Sequence, residues 1–389
     1  MVRIIILLLF CVNVSAQGYL RKVGAFMQKD TIDGYVCQIS NDHIEFIRDD
    51  YWLISGNGKI GLSVNGGGSV LNKMDFTDYQ KIEFSYIFEN GNIVFATQNA
   101  VLYSKDLLAT VDTLEVKYNG VDYVPVANST NFRTIHYHNP VYIDGKEILL
   151  WGNYTNYGFE DTDVNVYFTT EDLDSAQIIY KFGYNDNYSD ATGNESNETI
   201  SRHVHSLNYD EYTDSFWLLT GDHYDECNWI KLAYNNGWSS EIIKSGDASS
   251  YYKSASMWFS EDSIYMIQDN TSDPTNKNGV WRIHRDSLDN ENSFDRILET
   301  SYPSLPGYAE DNLVVWSYTW LDGVANTITI SNDLGKSFDV LDFDGVFSED
   351  VTFLRPFKNG SVIRMDAKPV SKSAENFTYY VQTLLLYLE

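Results

Sequence analysis

Ser331-Asn332-Asp333-Leu334-Gly335-Lys336-Ser337-Phe338 is the stretch of sequence that decides the fold. It matches the Asp-box pattern Ser/Thr-x-Asp-x-Gly-x-Ser/Thr-aromatic. In such a turn a carboxylate and a hydroxyl satisfy backbone N–H groups, and the glycine supplies the positive φ that the hairpin requires. We therefore predict a structural turn between two strands, and its carboxylate is not a catalytic candidate.

Weaker versions of this turn recur along the chain, in each case after an apolar strand. They are Ser63-Val64-Asn65-Gly66-Gly67-Gly68-Ser69, Ser104-Lys105-Asp106, Thr170-Glu171-Asp172, Ala233-Tyr234-Asn235 and His284-Arg285-Asp286. Successive copies begin 41 to 66 residues apart, and a blade of four strands with its loops needs roughly 40 to 50 residues. Residues 351–357, 361–365 and 378–384 offer strands for one more blade. The chain is therefore predicted to be all-β, as a seven-bladed β-propeller with six blades as the alternative.

The composition supports this fold class. Aromatic residues make up 15% of the chain, and short alternating apolar runs such as 92–96 recur between Gly, Asn and Asp turns, a pattern typical of strands. No stretch after residue 16 shows the 3.6-residue period of apolar residues that predicts a helix. The polar inserts 183–199 and 269–279 mark the expected functional face, because loops on a rigid scaffold carry variable chemistry.

The first residues have the pattern of a secretory signal peptide. Arg3 is followed by an apolar run over 4–12 and by the small-residue site Val14-Ser15-Ala16. We therefore predict a signal peptide over 1–16, a single propeller domain over 17–389 and a secreted protein. No later run reaches the roughly 20 apolar residues of a membrane helix, so no membrane span is expected.

The charge of the chain limits its partners. Lys and Arg number 27 against 55 Asp and Glu, which gives a formal net charge of -28. This charge argues against nucleic acid and anionic membranes as partners. Solubility explains most of the acidity, and a basic site must be local.

Three of the seven histidines fall within residues 203–223. His203 and His205 are two apart, so on one strand both point to one face, and His223 ends the returning strand. Tyr265 and Arg282 lie in strands of the next predicted blade, so all five side chains are predicted to converge as a catalytic site. The structural alternative is that the histidines are satisfied packing groups, Tyr265 packs between blades and Arg282 is a surface charge.

Two further possibilities involve neighbouring residues. His136 and His138 open another blade and are candidate substrate contacts, with structural packing as the alternative. Asp222, His223 and Cys227, together with His205, have side chains that zinc accepts, but no familiar ligand spacing supports a site. We therefore expect no cofactor, with a structural metal as the open alternative.

Three short motifs in this region resemble those of a known family. The His-x-His at 203–205, the Tyr-Asp-x-Tyr-Thr turn at 209–213 and the Thr-Gly-Asp-His at 220–223 resemble the secreted β-propeller ulvan lyases and related sialidase-like Asp-box propellers. The resemblance implies β-elimination at uronic acid residues of an anionic, ulvan-like algal polysaccharide or its oligosaccharides. It also implies catalytic roles for His203 or His205, His223, Tyr265 and Arg282.

These residue types suit that chemistry. An arginine helped by a histidine would neutralise the uronate carboxylate and stabilise the enolate, and Tyr265 or a histidine would remove the C5 proton. A glycosidic oxygen leaving C4 makes the enzyme a polysaccharide lyase, and a free hydroxyl makes it an oligosaccharide dehydratase.

Two other functions remain open in the sequence. A sialidase-like hydrolase is disfavoured because the Arg-Ile-Pro motif of sialidases is absent. A non-catalytic carbohydrate-binding propeller would explain the aromatic residues but not the histidines, since this fold supports binding as readily as catalysis.

Overall fold

The structure is a computed structural model of the 389-residue chain. It describes residues 27–32, 35–40, 43–56, 59–64, 69–75, 82–97, 100–124, 132–135, 140–154, 164–182, 201, 203–221, 226–246, 251–268, 279–299, 308–310, 313–317, 327–333, 337–343, 351–359, 362–369 and 382–387. The predicted signal peptide lies outside these ranges. Within them there is no α-helix, and no helix is long and apolar enough to span a membrane.

The described strands form seven hydrogen-bonded sheets. The sheets are numbered in chain order, and the sheet that contains the two N-terminal strands is numbered last because its other strands come from the C-terminal part of the chain. Sheet 1 contains β3 (His43–Arg48), β4 (Tyr51–Gly56), β5 (Lys59–Val64) and β6 (Ser69–Asp75). Sheet 2 contains β7 (Ile82–Ile87), β8 (Ile93–Thr97), β9 (Val101–Ser104) and β10 (Asp112–Thr113). Sheet 3 contains β11 (Val116–Tyr118), β12 (Val121–Asp122), β13 (Phe132–Ile135), β14 (Val141–Ile143), β15 (Lys146–Asn153), β16 (Asn165–Thr170) and β17 (Ala176–Lys181).

The second half of the chain continues the same arrangement. Sheet 4 contains β18 (Val204–Asp210), β19 (Ser215–Thr220), β20 (Cys227–Tyr234) and β21 (Trp238–Gly246). Sheet 5 contains β22 (Ser254–Phe259), β23 (Ser263–Gln268), β24 (Gly279–His284) and β25 (Asp295–Glu299), with 3-10 turns at Arg285–Ser287 and Glu291–Ser293. Sheet 6 contains β26 (Tyr308–Glu310), β27 (Leu313–Ser317), β28 (Thr327–Ser331) and β29 (Asp339–Asp342). Sheet 7 contains β30 (Val351–Asn359), β31 (Val362–Pro369) and β32 (Gln382–Tyr387), joined by β1 (Met27–Ile32) and β2 (Tyr35–Ser40).

The inner strand of each sheet contacts the inner strand of the next. These contacts run from β3 to β7, β13, β18, β22, β26 and β30 in turn, and β3 also contacts β32 of the last sheet. Successive sheets therefore stand side by side around a common axis, with one inner strand each, which is the arrangement of a β-propeller. The all-β propeller class predicted from the sequence is confirmed, and the number of blades stays a prediction.

The N-terminal strands complete the last sheet. β2 pairs antiparallel with β32, and β1 pairs with β2 on its outer side. The three strands predicted for this sheet are present as β30, β31 and β32, whereas sequence reasoning missed the two strands from the other end of the chain. Their pairing joins residues more than 340 positions apart, and local periodicity carries no sign of it.

Counted outward from the inner strand, all six predicted turns connect the third and fourth strands of their sheets. Two of them have the full set of Asp-box hydrogen bonds. Asp333 accepts from Ser337 N at 2.8 Å and from Ser337 Oγ at 2.7 Å, and Asp106 accepts from Thr110 N at 2.8 Å and from Thr110 Oγ1 at 2.6 Å. At the position of Gly335, the turn at 104–110 has Leu108 with a φ of 65°, so the hydrogen bonds hold this backbone without a glycine.

The core consists of apolar side chains packed between neighbouring sheets. Successive residues of a strand point to opposite faces, so each sheet contributes to two such layers. Between sheets 4 and 5 the layer includes Trp217, Trp229, Met257, Ile264 and Met266. Between sheets 5 and 6 it includes Trp258, Tyr265, Ile267, Val280 and Val314.

Buried ion pairs also join the sheets at the far ends of the inner strands. Arg48 at the end of β3 donates to both carboxylate oxygens of Glu147 at 2.8 and 2.6 Å, and Tyr86 donates to Glu147 at 2.6 Å. Burial raises the pKa of Tyr86 well above its usual range. Its hydroxyl therefore stays protonated as the donor in this network across sheets 1, 2 and 3.

Candidate functional site

The His203–His205 pair lies at the beginning of the inner strand of sheet 4. His203 forms an isolated antiparallel bridge with Tyr154, at the end of β15 in sheet 3. In β18, Val204 pairs with Thr220 and Ser206 pairs with Leu219, so His205 is the extra residue of a β-bulge. A bulge changes the direction in which a side chain points at a strand end. Here the two imidazoles next to the bulge are in direct contact.

The contacts of the pair are specific. His205 Nε2 lies 2.9 Å from His203 Nε2, and His205 Nδ1 lies 3.1 Å from the carbonyl oxygen of Ser254 in sheet 5. The two rings are stacked with centroids 4.8 Å apart. The ring of Tyr154 stacks on His203 with a centroid distance of 4.1 Å and an interplanar angle of 8°. The pair therefore bridges three successive sheets.

These contacts determine the protonation states of the pair. A carbonyl oxygen only accepts, so Nδ1 of His205 must carry its hydrogen. In the neutral pair Nε2 of His205 is then the acceptor, Nε2 of His203 is the donor, and the lone pair of His203 is on Nδ1. One added proton is compatible with the Nε2–Nε2 hydrogen bond. A second added proton would place two N–H groups against each other, which is incompatible with the Nε2–Nε2 hydrogen bond.

The pair lies in a polar and well-buried setting. His203 is 3% exposed and His205 is 8% exposed. Ser201 Oγ donates to the carbonyl oxygen of His203 at 2.7 Å and accepts from its N–H at 3.2 Å. Ser254 is buried as well, and its hydroxyl donates to the carbonyl oxygen of Tyr251 at 2.9 Å. The surrounding backbone is thus held by side-chain hydrogen bonds, which fixes the ring positions.

Tyr265 and Arg282 do not join the pair, so the predicted convergence is wrong for these two residues. Tyr265 is 5% exposed, belongs to the core layer between sheets 5 and 6, and stacks on Trp258 with a centroid distance of 5.7 Å. The face of sheet 5 that packs on sheet 4 contains Ile264 and Met266 instead. Sheet 5 therefore stands between Tyr265 and His205.

Tyr265 and His205 also lie at different positions along the direction of the strands. Tyr265 pairs with Trp258, four residues beyond Ser254, which is about 13 Å along an extended strand. Arg282 pairs with Tyr265 on the third strand, and its Nη2 donates to Asp295 Oδ2 at 2.7 Å in an exposed ion pair. The structure thus matches the packing and surface alternatives for Tyr265 and Arg282.

The remaining predicted site residues lie outside the described part of the chain. These are His223, His136 and His138, together with Asp222 of the possible metal set. Their roles stay predictions. Among the described residues, no group of three or more His, Cys, Asp or Glu side chains is placed to hold a metal ion.

Sequence reasoning missed two features of the site. Tyr154 is one of 29 tyrosines, and no local pattern distinguishes it from those that pack between blades. The bulge at His205 also has no sequence signal, because it arises from the register of β18 against β19. Both features depend on long-range placement rather than on local spacing.

Comparisons with known proteins support the fold. No family model matches the chain, and no curated protein matches it. Among solved structures, the chain is similar to YCF48 bound to a D1 peptide, with a TM-score of 0.53 and 13% identity over 93% of this chain and 97% of that one. YCF48 from Cyanidioschyzon merolae gives 0.52 and 11% identity over 94% and 98%. A chain of the mitotic checkpoint complex gives 0.50 and 9% over 93% of each. At these identities the likeness shows the β-propeller fold alone.

Proposed function

We propose that the protein is a secreted enzyme that performs β-elimination on uronic acid residues of an anionic, ulvan-like polysaccharide or its oligosaccharides. The observation that carries the proposal is the 2.9 Å contact between the imidazoles of His203 and His205, a side-chain type that serves as general acid and base in catalysis. The resemblance of residues 203–223 to secreted ulvan lyases supplies the substrate class. The predicted signal peptide supplies the export.

The proposed mechanism assigns the acid and base work to the pair. In this proposal the pair takes the C5 proton of the uronate, and the Nε2–Nε2 hydrogen bond stabilises the resulting imidazolium. The electron pair left at C5 forms the C4–C5 double bond as the oxygen at C4 leaves, and the imidazolium returns its proton to that oxygen, which restores the neutral pair. General acid–base catalysis of this kind contributes about 10²- to 10⁴-fold to a rate. Tyr265 and Arg282 have no part in this mechanism, because sheet 5 separates them from the pair.

A second candidate function is carbohydrate binding without turnover. It is favoured by the internal contacts of the pair, since three of the four imidazole nitrogens face Ser254 or each other, and by the low exposure of both rings. In this case the pair is a structural bridge between three sheets.

One assay separates the two functions. Purified protein is incubated with ulvan and with ulvan oligosaccharides, and the ultraviolet absorbance of the 4,5-unsaturated uronate is followed. We expect the absorbance to rise, and we expect His203→Ala and His205→Ala each to slow the rise by about a hundredfold or more. His284→Ala is the matched control, because His284 is half exposed and lies at the other end of sheet 5.

Product size divides the two elimination reactions, because the lyase shortens the chain and the dehydratase does not. No rise with either substrate, combined with saturable binding of unchanged sugar, would favour the binding module. Full activity of both histidine variants would remove the pair from the mechanism.

A further inference from the structure

A hairpin widens sheet 3 at its outer edge. β11 pairs in parallel with β17, the fourth strand counted from the axis, and β12 pairs antiparallel with β11. The turn between them has Asn119 with a φ of 52° and Gly120 with a φ of 78°, the positive values that a two-residue Asn-Gly hairpin turn requires. Sheets 1, 2, 4, 5 and 6 have four described strands each, so this hairpin is an addition to the ordinary blade.

The hairpin has exposed apolar and aromatic side chains. Tyr118 is 38% exposed, Val121 is 69% exposed and Val124 is 84% exposed. Tyr118 and Val121 are direct partners across the hairpin, so their side chains lie on the same face. The other exposed large apolar side chains of the described residues are spread over sheets 1, 3, 4 and 6. Apolar residues scattered singly are ordinary, whereas a contiguous exposed group is typical of a binding site.

Lys181 adds a positive charge to this group. It ends β17, and its Nζ lies 5.9 Å from the ring centroid of Tyr118 and 5.7 Å from that of Tyr123. Both distances are within the roughly 6 Å over which an aromatic ring face attracts a cation. Asn165 Nδ2 donates to the hydroxyl of Tyr123 at 3.4 Å, which orients that ring. We call Tyr118, Val121, Tyr123 and Lys181 the Tyr118 platform.

The Tyr118 platform lies at the same end of sheet 3 as the histidine pair. Lys181 pairs with Asn165 at the beginning of β16, and the N–H of Asn165 donates to Asn153 Oδ1 at 2.9 Å. Asn153 ends β15, and the next residue, Tyr154, stacks on His203. Three strand spacings separate β15 from β11, which is roughly 14 Å. A polysaccharide lying along this end of the sheet can therefore contact both places at once.

We propose that the Tyr118 platform binds one anionic sugar unit of a polysaccharide chain. The C–H groups of the sugar ring pack on the ring of Tyr118 and on Val121, and the ammonium of Lys181 donates to the anionic group of the sugar. An ammonium has three N–H donors, so it can bind an oxyanion while it lies beside the two rings. The choice of an acidic polysaccharide rests on the proposed function, whereas the location of the site rests on the contacts of these residues.

Charge and size favour this ligand. The chain has a formal net charge of -28, which repels an anionic polymer, so such a polymer needs a local cation to bind. Charge-assisted hydrogen bonds to that cation are stronger than neutral ones. Four partly exposed side chains offer much less area than the roughly 800 Å² that a stable protein partner covers. A single sugar unit fits a cluster of this size.

Isothermal titration calorimetry with polymers tests the charge requirement. The probes are polyglucuronate, which carries carboxylates, dextran sulfate, which carries sulfates, and uncharged dextran. We expect at least one anionic polymer to bind about tenfold more tightly than dextran, and the tighter of the two identifies the preferred anionic group. Chromatography after each titration checks that the polymer is intact. No binding of either anionic polymer, or equal binding of dextran, would overturn the proposal.

Substitutions locate the site. Lys181→Met removes the charge but keeps an unbranched apolar side chain, and we expect it to weaken binding by about tenfold. Tyr118→Ala removes the stacking surface and should weaken binding by about three- to tenfold. Lys181→Arg and Tyr118→Phe keep the charge and the ring, so they should bind as the wild type does. Lys146→Met and Tyr142→Ala are the matched controls, because both residues are half exposed and lie at the opposite end of sheet 3.

Circular dichroism and thermal unfolding check that each variant is folded. If Tyr118→Ala does not fold, Tyr118→Leu takes its place, since it removes the flat ring but keeps apolar bulk. Wild-type affinity in folded Lys181→Met and Tyr118 variants would overturn the proposal. Salt tests the charge without any substitution, because the attraction between exposed charges is screened. An affinity of the wild type that does not fall at high salt would also overturn the proposal.

Failure of this proposal is distinguishable from failure of the proposed function. Binding that depends on Lys181 and Tyr118 supports the platform even if no unsaturated product forms. If product forms, Lys181→Met should raise KM for long chains and leave kcat unchanged, and it should not affect oligosaccharides too short to reach the platform from the histidine pair. An unchanged KM for long chains would overturn the platform and leave the enzyme supported.

Discussion

Arg285 of sheet 5 donates two hydrogen bonds to the carboxylate of Asp210 at the end of β18 in sheet 4, at 2.7 and 2.8 Å. The Asp210 side chain is fully buried, and the Nε of Arg285 donates to the carbonyl oxygen of Ser260 at 2.9 Å. This bidentate pair ties two sheets together at the end of β18 opposite the histidines. The turn at 284–286, which the sequence predicts only as a weak version of the Asp box, therefore also joins two sheets through Arg285.

Arg285→Ala is expected to destabilise the protein by about 3 to 5 kcal/mol, because it leaves the buried Asp210 carboxylate without its cationic partner. The measurement is the free energy of unfolding from urea denaturation. Arg282→Ala is the matched control, since its ion pair with Asp295 is exposed and is worth about 1 kcal/mol or less. Similar losses in the two variants would contradict the assignment of Arg285 as a buried clamp.

The tautomers of the histidine pair can be observed directly. The Ser254 carbonyl fixes the hydrogen of His205 on Nδ1, and the Nε2–Nε2 contact then fixes the hydrogen of neutral His203 on Nε2. We expect long-range ¹H–¹⁵N correlation spectra at high pH to show His205 as the Nδ1–H form and His203 as the Nε2–H form. The opposite tautomer at His205 would disprove the predicted hydrogen bond.

The turns and strands could be predicted from the sequence because their signals are local. The Asp-box turn at 331–338 and its weaker versions, including the turn at Asp106, each mark the connection between the third and fourth strands of a sheet. Their number and spacing predict a β-propeller. Convergence of His203 with His205 also follows from a spacing of two residues. These inferences use neighbours in the chain and need no knowledge of which sheets meet.

The rest of the candidate site depends on long-range geometry. Tyr265 and His205 do belong to adjacent sheets, as the spacing suggested, but a shift of one residue decides which face of sheet 5 a side chain occupies. Ile264 faces sheet 4 and Tyr265 faces sheet 6. The local sequence pattern does not determine which of the two residues faces which sheet. The bulge at His205 arises in the same way, from a pairing register that no single strand reveals.

The Asp106 turn should contribute to stability in a pH-dependent way. Hydrogen bonds from the Thr110 side chain and backbone hold the pKa of the Asp106 carboxyl below its usual range. A folded-state pKa that is depressed gives stability that is present above the unfolded pKa and is lost as the pH falls through the folded pKa. Thr110→Val removes one of these donors, so it should raise the pKa of Asp106 and destabilise the protein at neutral pH, with the difference shrinking in acid.

An NMR titration of Asp106 and urea denaturation at several pH values measure these two effects. Thr113→Val, at an exposed position after the same turn, is the control. A pH-independent difference between Thr110→Val and the wild type would point to a cause other than Asp106.

Gly152 couples the core to the histidine pair. A Cβ atom at Gly152 in β15 would lie 2.7 Å from Cγ2 and 2.8 Å from Cβ of Val204, the residue between His203 and His205. Gly152→Ala should therefore push Val204 away and destabilise the protein by about 1 to 3 kcal/mol. Because the two imidazoles flank Val204, the His205 signals in the ¹H–¹⁵N spectrum should shift as well.

A double-mutant cycle tests this coupling. Val204→Ala alone leaves a cavity and costs stability, but in the Gly152→Ala background it removes two methyl groups that crowd the new Cβ. The combined loss should therefore be smaller than the sum of the single losses by about 0.5 kcal/mol or more. Strict additivity, with His205 signals unmoved in Gly152→Ala, would mean that sheets 3 and 4 adjust to the added methyl group without disturbing the histidine pair.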